Sequence, residues 1–199
     1  MLDCQPAKEI LNSISMEELD RIEILGDNCE LGNTLVKRGY NGSSLFRFIY
    51  NPPESFLHSL ENDFNGMFSL ENLTPLPWGM VSDSAYNMHF HTQILKHAED
   101  GTFILNKDDE ETREIYLDEL NKYKYLKKKF MERARSGSAI YIIKCNAGIK
   151  SEILDRIENE LKRIAEGAPF ILLEVRQSGD SIPSDRIDAE ISQKGCTSG

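Results

Sequence analysis

The chain has 199 residues, of which 40% are hydrophobic, and a formal net charge of -10 at pH 7. This size and composition suit one globular domain, predicted over residues 1–179, followed by a flexible polar tail over residues 180–199. The charge disfavours nucleic acid as a partner, and the sequence contains neither a secretory signal nor a run of about 18 apolar residues, which predicts a cytoplasmic protein without a membrane span.

Hydrophobic periodicity and turn residues predict the following elements in chain order. Strands are predicted over 22–26, 43–50, 85–95, 138–146 and 169–175, and helices over 29–39, 54–64, 107–137 and 150–167, with a loop over 65–84. Strands that alternate with helices are typical of a layered α/β domain with a largely parallel central sheet and helices on both faces.

The four cysteines form no C-x-x-C pair, and a cytosolic setting keeps thiols reduced, so we predict no disulfide among Cys4, Cys29, Cys145 and Cys196. The chain also lacks a Walker loop, a G-x-G-x-x-G motif and an H-E-x-x-H motif. The sequence therefore predicts no cofactor.

Cys29 is the first candidate for chemistry because it follows the buried run "IEILGDN" and begins a helix. Ligands of parallel α/β sheets gather at the carboxyl ends of strands, and a helix N-terminus stabilises a thiolate. We expect a nucleophile here, partly exposed in a cleft. The alternative is that Asp27 or Asn28 merely caps the helix and that Cys29 is an inert, small apolar residue.

The strand "YNMHFHTQ" offers a base for this thiol. His89 and His91 are two residues apart and share a face of a regular strand, so either can lie within about 3 to 5 Å of Cys29, allowing for one bridging water. A Cys-His-His zinc set is a further alternative, but no acid is placed to complete it. We predict no metal.

Further polar residues stand inside or after other predicted strands. Arg47 interrupts the apolar run "LFRFIY", so we expect it to reach solvent or to hold an acid such as Asp27, Glu30 or a substrate carboxylate. Lys144 and Asn146 follow the run "AIYII", and Asn146 can orient a histidine in the chain order Cys, His, Asn. We predict that Asp27, Arg47, Lys144 and Asn146 cluster around Cys29.

The segments "LGDNCELGNTLVKRG", "SSLFRFIYNPPESFLHSLENDF", "YNMHFHTQI", "YLKKKFMERARSGSAIYIIKCN" and "FILLEV" together resemble a bacterial family described as papain-like cysteine peptidases. The resemblance covers about residues 20–177, and "GDNCE" and "HFHT" carry it most strongly. The chain departs from the commonest branch, which has Phe-Asp-Trp where this sequence has "LFRF". Many members of that family are encoded beside glycosyltransferases of surface polysaccharide synthesis.

The resemblance implies that Cys29 is a nucleophile and His91 its base, with His89 the alternative base. The resulting expectation is a thiol hydrolase or acyltransferase that acts on a small molecule, peptide or glycan, with catalytic Cys29, His91 and Asn146. Substrate contacts are then expected from Asp27, Asn28, Glu30, Arg47, His89 and Lys144. The alternative function is a non-catalytic module that binds a sugar or nucleotide-sugar and assists a glycosyltransferase.

Overall fold

The computed structural model describes residues 15–27 and 29–175. Asn28 and the predicted tail over 180–199 lie outside the described residues. The elements are α1 (Met16–Asp20), β1 (Ile22–Gly26), α2 (Glu30–Lys37), β2 (Ile49–Tyr50), α3 (Pro53–Glu61), a 3-10 turn (Leu70–Asn72), β3 (Leu73–Pro75), β4 (Met80–Asp83), β5 (Met88–His91), β6 (Lys96–His97), β7 (Phe103–Ile104), α4 (Glu110–Arg135), β8 (Ala139–Lys144), α5 (Ser151–Ala165) and β9 (Phe170–Val175).

The first sheet is parallel, with the strand order β1-β8-β9. Alternate side chains of β8 point to opposite faces, so Tyr141 and Ile143 enter the main core with α3, α4 and α5. Ile140 and Ile142 face the other way, against a smaller apolar cluster that includes Leu19 of α1 and residues of α2. The predicted layered α/β domain with helices on both faces of a parallel sheet is therefore confirmed.

The second sheet is antiparallel, with the strand order β2-β5-β4-β3. Its inner face contributes Ile49, Phe90 and Val81 to the main core. The two sheets meet where the backbone N–H of Asn51 donates to the carbonyl of Gly26 over 3.2 Å. This contact brings the end of β2 to the carboxyl end of β1, where ligand sites of parallel sheets lie.

A buried ion pair joins the parallel sheet to the longest helix. Glu23 of β1 is 1% exposed and contacts Arg133 of α4, while the Ser44 hydroxyl donates to the same carboxylate over 2.5 Å. Burial raises the pKa of Glu23 despite the opposing effect of Arg133. The pair therefore positions α4 over β1 at an electrostatic cost.

Several segments differ from the sequence-based expectation, among them the strand predicted over 85–95, which is reduced to β5, and the unpredicted β6–β7 pair. The strand predicted over 43–50 is reduced to β2, because Leu45 and Phe46 are both buried and a turn closes through the Ile49 N–H to the Phe46 carbonyl over 3.2 Å. The loop predicted over 65–84 contains the β3–β4 hairpin instead. Asp83 ends that hairpin inside the protein, because its carboxylate accepts backbone N–H bonds from Phe68 and Ala85 over 2.7 and 2.9 Å.

Candidate functional site

The carboxyl edge of the parallel sheet is a tight junction between β1 and β8. Gly26 has a φ of 139°, and a Cβ atom there would lie 1.9 Å from the carbonyl oxygen of Lys144. Only glycine fits this close approach of two backbones. Gly26 thus fixes where the following turn leaves the sheet.

Four of the predicted site residues meet at this edge: Asp27, Glu30, Lys144 and Asn146. The Asp27 carboxylate accepts the backbone N–H of Asn146 over 3.0 and 3.2 Å, which ties the turn after β1 to the turn after β8. Lys144 forms an ion pair with Glu30 at the start of α2. Asp27, Lys144 and Asn146 therefore form most of the predicted polar cluster, and Glu30 takes the place expected for Arg47.

Cys29 lies where the sequence predicts, directly before α2 and half-buried at the carboxyl edge of β1. The expected depression of its thiol pKa is wrong, because burial raises the pKa of Cys29 and no described charge opposes that effect. Among the described residues, the thiol has no hydrogen bond to either His89 or His91. The proposed proton transfer from Cys29 to a histidine stays a prediction.

Arg47 is buried and contacts no acid within the described part of the chain, contrary to expectation. It is 5% exposed, and its guanidinium donates to the carbonyls of Gly42, Tyr40 and Gly32 over 2.5, 2.7 and 3.4 Å. It also stacks within 5.3 Å of the Tyr40 ring centroid and 5.1 Å of the Phe48 ring centroid. Carbonyl dipoles and ring faces thus solvate this charge where a carboxylate was expected.

The two histidines lie on the outer face of the antiparallel sheet. The His89 ring is half-buried and stacks on Tyr50, with ring centroids 4.6 Å apart, and burial lowers the pKa of His89. His91 is exposed, two residues further along β5. They therefore present imidazoles to the same side of the molecule, as their spacing predicts.

Strand pairing places His89 within a row that crosses the whole antiparallel sheet. The row runs from Tyr50 through His89 and Ser82 to Thr74, one residue from each strand. Trp78, in the turn between β3 and β4, lies beside this row, with its ring centroid 6.1 Å from that of His89. We call the four cross-strand residues, together with Trp78, the aromatic row.

Trp78 and Tyr50 are exposed although both are large and apolar. Trp78 is 62% exposed and Tyr50 is 37% exposed. Exposed aromatic groups with polar neighbours are typical of binding surfaces. Sequence reasoning missed both residues, and the only available signal was the turn sequence "LPWG" between two short polar-apolar alternations.

A cavity of about 550 Å³ opens where β2 and β5 approach α4. Its lining includes Arg47, His91 and Lys122, together with the segment 41–44. The structure thus brings together Arg47 and His91, two residues that the sequence singled out for different roles. Cys29 is not part of this lining.

No three His, Cys, Asp or Glu side chains within residues 15–27 and 29–175 are grouped to hold a metal ion. The Cys-His-His alternative is therefore not assembled among these residues. The helices of the described part of the chain also include none with the length and apolar character needed to cross a membrane.

Comparison with protein-family models, with curated proteins and with solved structures gives no match for this chain.

Proposed function

We propose that this protein is a carbohydrate-binding module that takes a sugar or nucleotide-sugar on the aromatic row. The observation that carries the proposal is the cross-strand alignment of Tyr50, His89, Ser82 and Thr74, flanked by the exposed ring of Trp78. The resemblance to a family encoded beside polysaccharide glycosyltransferases supports a carbohydrate ligand and an accessory role for such an enzyme.

The chemistry of the aromatic row matches both sides of a sugar ring. The negatively polarised face of an aromatic ring attracts the C–H groups that form the apolar face of a sugar. Imidazole and hydroxyl groups such as those of His89, Ser82 and Thr74 donate and accept hydrogen bonds with sugar hydroxyls. Because neighbouring strands are about 4.8 Å apart, the row spans about 14 Å, enough for a short oligosaccharide.

The thiol at the sheet edge is less suited to catalysis than this surface is to binding. Burial raises the pKa of Cys29, and its thiol has no hydrogen bond to a described histidine. A binding module needs neither a thiol of lowered pKa nor a histidine base. It needs a preformed surface, which the paired strands under the aromatic row provide.

The proposal is tested by binding to a panel of neutral and acidic oligosaccharides and UDP-glucose, followed by calorimetry on each sugar that binds. Trp78→Ala should weaken binding about fivefold or more, since stacking with a large ring is worth about 1 kcal/mol or more. Tyr125→Ala is the matched control, because Tyr125 is 61% exposed on α4 and lies outside the aromatic row. Equal affinities for the two variants, or no binding by the wild type across the panel, would reject the proposal.

A second candidate function is a thiol hydrolase or acyltransferase that uses Cys29 on an acyl, amide or peptide bond. Its supporting observation is the half-buried Cys29 between the carboxyl end of β1 and the N-terminus of α2, where free backbone N–H groups favour an oxyanion. Mass-spectrometric mapping of iodoacetamide adducts at pH 7 tests it. Modification of Cys29 faster than that of free cysteine at the same pH would favour this chemistry over the binding module, because a half-buried thiol with a raised pKa reacts more slowly than free cysteine.

A further inference from the structure

We propose that the cavity lined by Arg47, His91 and Lys122 is a binding site for an anionic group, either a phosphate or a carboxylate. This site lies beside the aromatic row and was not needed to argue for sugar binding.

The charges that line the cavity are all of one sign. Arg47 and Lys122 are cationic side chains, and the His91 imidazole can donate a hydrogen bond to an anion. Among the described lining residues there is no aspartate or glutamate. The chain has a net charge of -10, so this local excess of positive charge is opposite in sign to the charge of the protein as a whole. Such a region attracts anions.

Arg47 is one of the lining residues, and its fixed positive charge has no acidic partner among the described residues. Its bonds to the carbonyls of Gly42, Tyr40 and Gly32 solvate the guanidinium but leave its net charge uncompensated. Its Nε atom is buried and makes no hydrogen bond among the described residues. Burial lowers the pKa of Arg47, which reports the same cost of holding a charge away from water. A bound anion would offset that cost.

The cavity also offers neutral groups and space for a small ligand. The lining residues Ser43 and Asn41 carry hydroxyl and amide groups, and Phe48 carries an aromatic ring. The Lys129 ammonium lies close by, since it donates to the Ser43 carbonyl over 2.9 Å. A volume of about 550 Å³ is in the usual range for small-molecule sites, so a phosphorylated or carboxylated monosaccharide would fit.

The position of His91 relates this cavity to the aromatic row. His91 lies two residues from His89 on the same side of β5. An anionic group in the cavity could therefore belong to the same ligand as a sugar on the row. The anion site does not depend on that sugar, because its lining shares no residue with the aromatic row.

Calorimetry on the full chain tests the site with inorganic phosphate, with glucuronate and with glucose as the neutral control, at constant ionic strength. Lys122→Glu reverses one charge at an exposed helix position, and Lys124→Glu makes the same change on α4 outside the lining. We expect phosphate or glucuronate to bind, with an affinity that Lys122→Glu lowers about tenfold and that Lys124→Glu leaves nearly unchanged. Any binding of glucose should not respond to Lys122→Glu.

Binding by phosphate alone would assign a phosphate group, and binding by glucuronate alone would assign a carboxylate. No saturable binding of either anion, or equal weakening by Lys122→Glu and Lys124→Glu, would overturn the site. Trp78→Ala should retain anion binding, so failure of the sugar-binding proposal and failure of this one give different results. His91→Gln, also tested with phosphate, should weaken binding, and an unchanged affinity would remove His91 from the site.

Discussion

The Tyr50 ring stacks on the His89 imidazole, with centroids 4.6 Å apart and an interplanar angle of 22°. Burial lowers the pKa of this imidazole, so the folded protein favours its neutral form. As the pH falls, the unfolded chain protonates His89 near its ordinary pKa of about 6.5, which is a higher pH than the folded protein requires. His89 therefore contributes stability above about pH 6.5 that is lost as the pH falls toward its folded pKa.

The variant His89→Phe should remove this part of the pH dependence while it keeps an aromatic partner for Tyr50. We expect the loss of unfolding free energy between pH 7 and pH 5 to be smaller in the variant than in the wild type. Urea denaturation at several pH values measures it, and the interval from pH 7 to pH 8 serves as the internal control. A steeper loss in the variant would contradict the assignment of a lowered pKa to His89.

The buried pair of Glu23 and Arg133 makes a second prediction. Arg133→Met leaves the Glu23 carboxylate buried without its cation, so we expect a loss of about 3 kcal/mol or more in unfolding free energy at pH 7. Glu23→Leu combined with Arg133→Met removes both charges and should be more stable than Arg133→Met alone. A double-mutant cycle by chemical denaturation checks this, and additive losses would show that the two side chains do not interact.

Gly26 makes a third prediction, about the turn that carries Asp27 and Cys29. Gly26→Ala combines a left-handed backbone with a steric clash against the Lys144 carbonyl, and should cost about 3 kcal/mol or more. Gly39→Ala is the control, because its φ of 83° is also left-handed but its Cβ would meet open space. It should cost only about 1–2 kcal/mol. Similar losses for the two variants would mean that the β1–β8 approach is looser than the structure shows.

Cys29 makes a fourth prediction, about reactivity. Because burial raises the pKa of the thiol, its rate of alkylation by iodoacetamide should be low at pH 7. The rate should continue to rise at pH values above the ordinary pKa of cysteine, where a normal thiol is already ionised. Burial raises the pKa of Cys145 to about 12, so Cys145 should react still more slowly. A rate for Cys29 that is already constant with pH at neutrality would instead show a stabilised thiolate and would favour the hydrolase.

The sequence predicts the parallel half of the fold well and the antiparallel half poorly, for physical reasons. β8 and α5 carry long and regular hydrophobic patterns, and each pattern predicts a single type of secondary structure. β3 and β4 have three and four residues, too few to establish an alternation, and one proline and one glycine lie between them. Short strands of this kind are fixed by pairing partners that are distant along the chain.

The same distinction applies to the candidate site. Cys29, Asp27, Lys144 and Asn146 follow strong strand signals, so their common edge was predictable from topology. The surroundings of Arg47 were not, because they depend on backbone carbonyls of Gly32, Tyr40 and Gly42, which any residue type would supply. The exposure of Trp78 likewise depends on how the hairpin packs, which its own sequence does not encode.

Sugar binding on the aromatic row has a direct optical test, because Trp78 is the only tryptophan of the chain. Titration of the wild type with oligosaccharides and UDP-glucose, followed by tryptophan fluorescence, reports on this ring alone, with absorbance corrected for the nucleotide. The account predicts a saturable change in intensity or emission maximum with at least one carbohydrate of the panel, and loss of that saturation in His89→Ala. A carbohydrate that binds by calorimetry but leaves the Trp78 emission unchanged would contradict it.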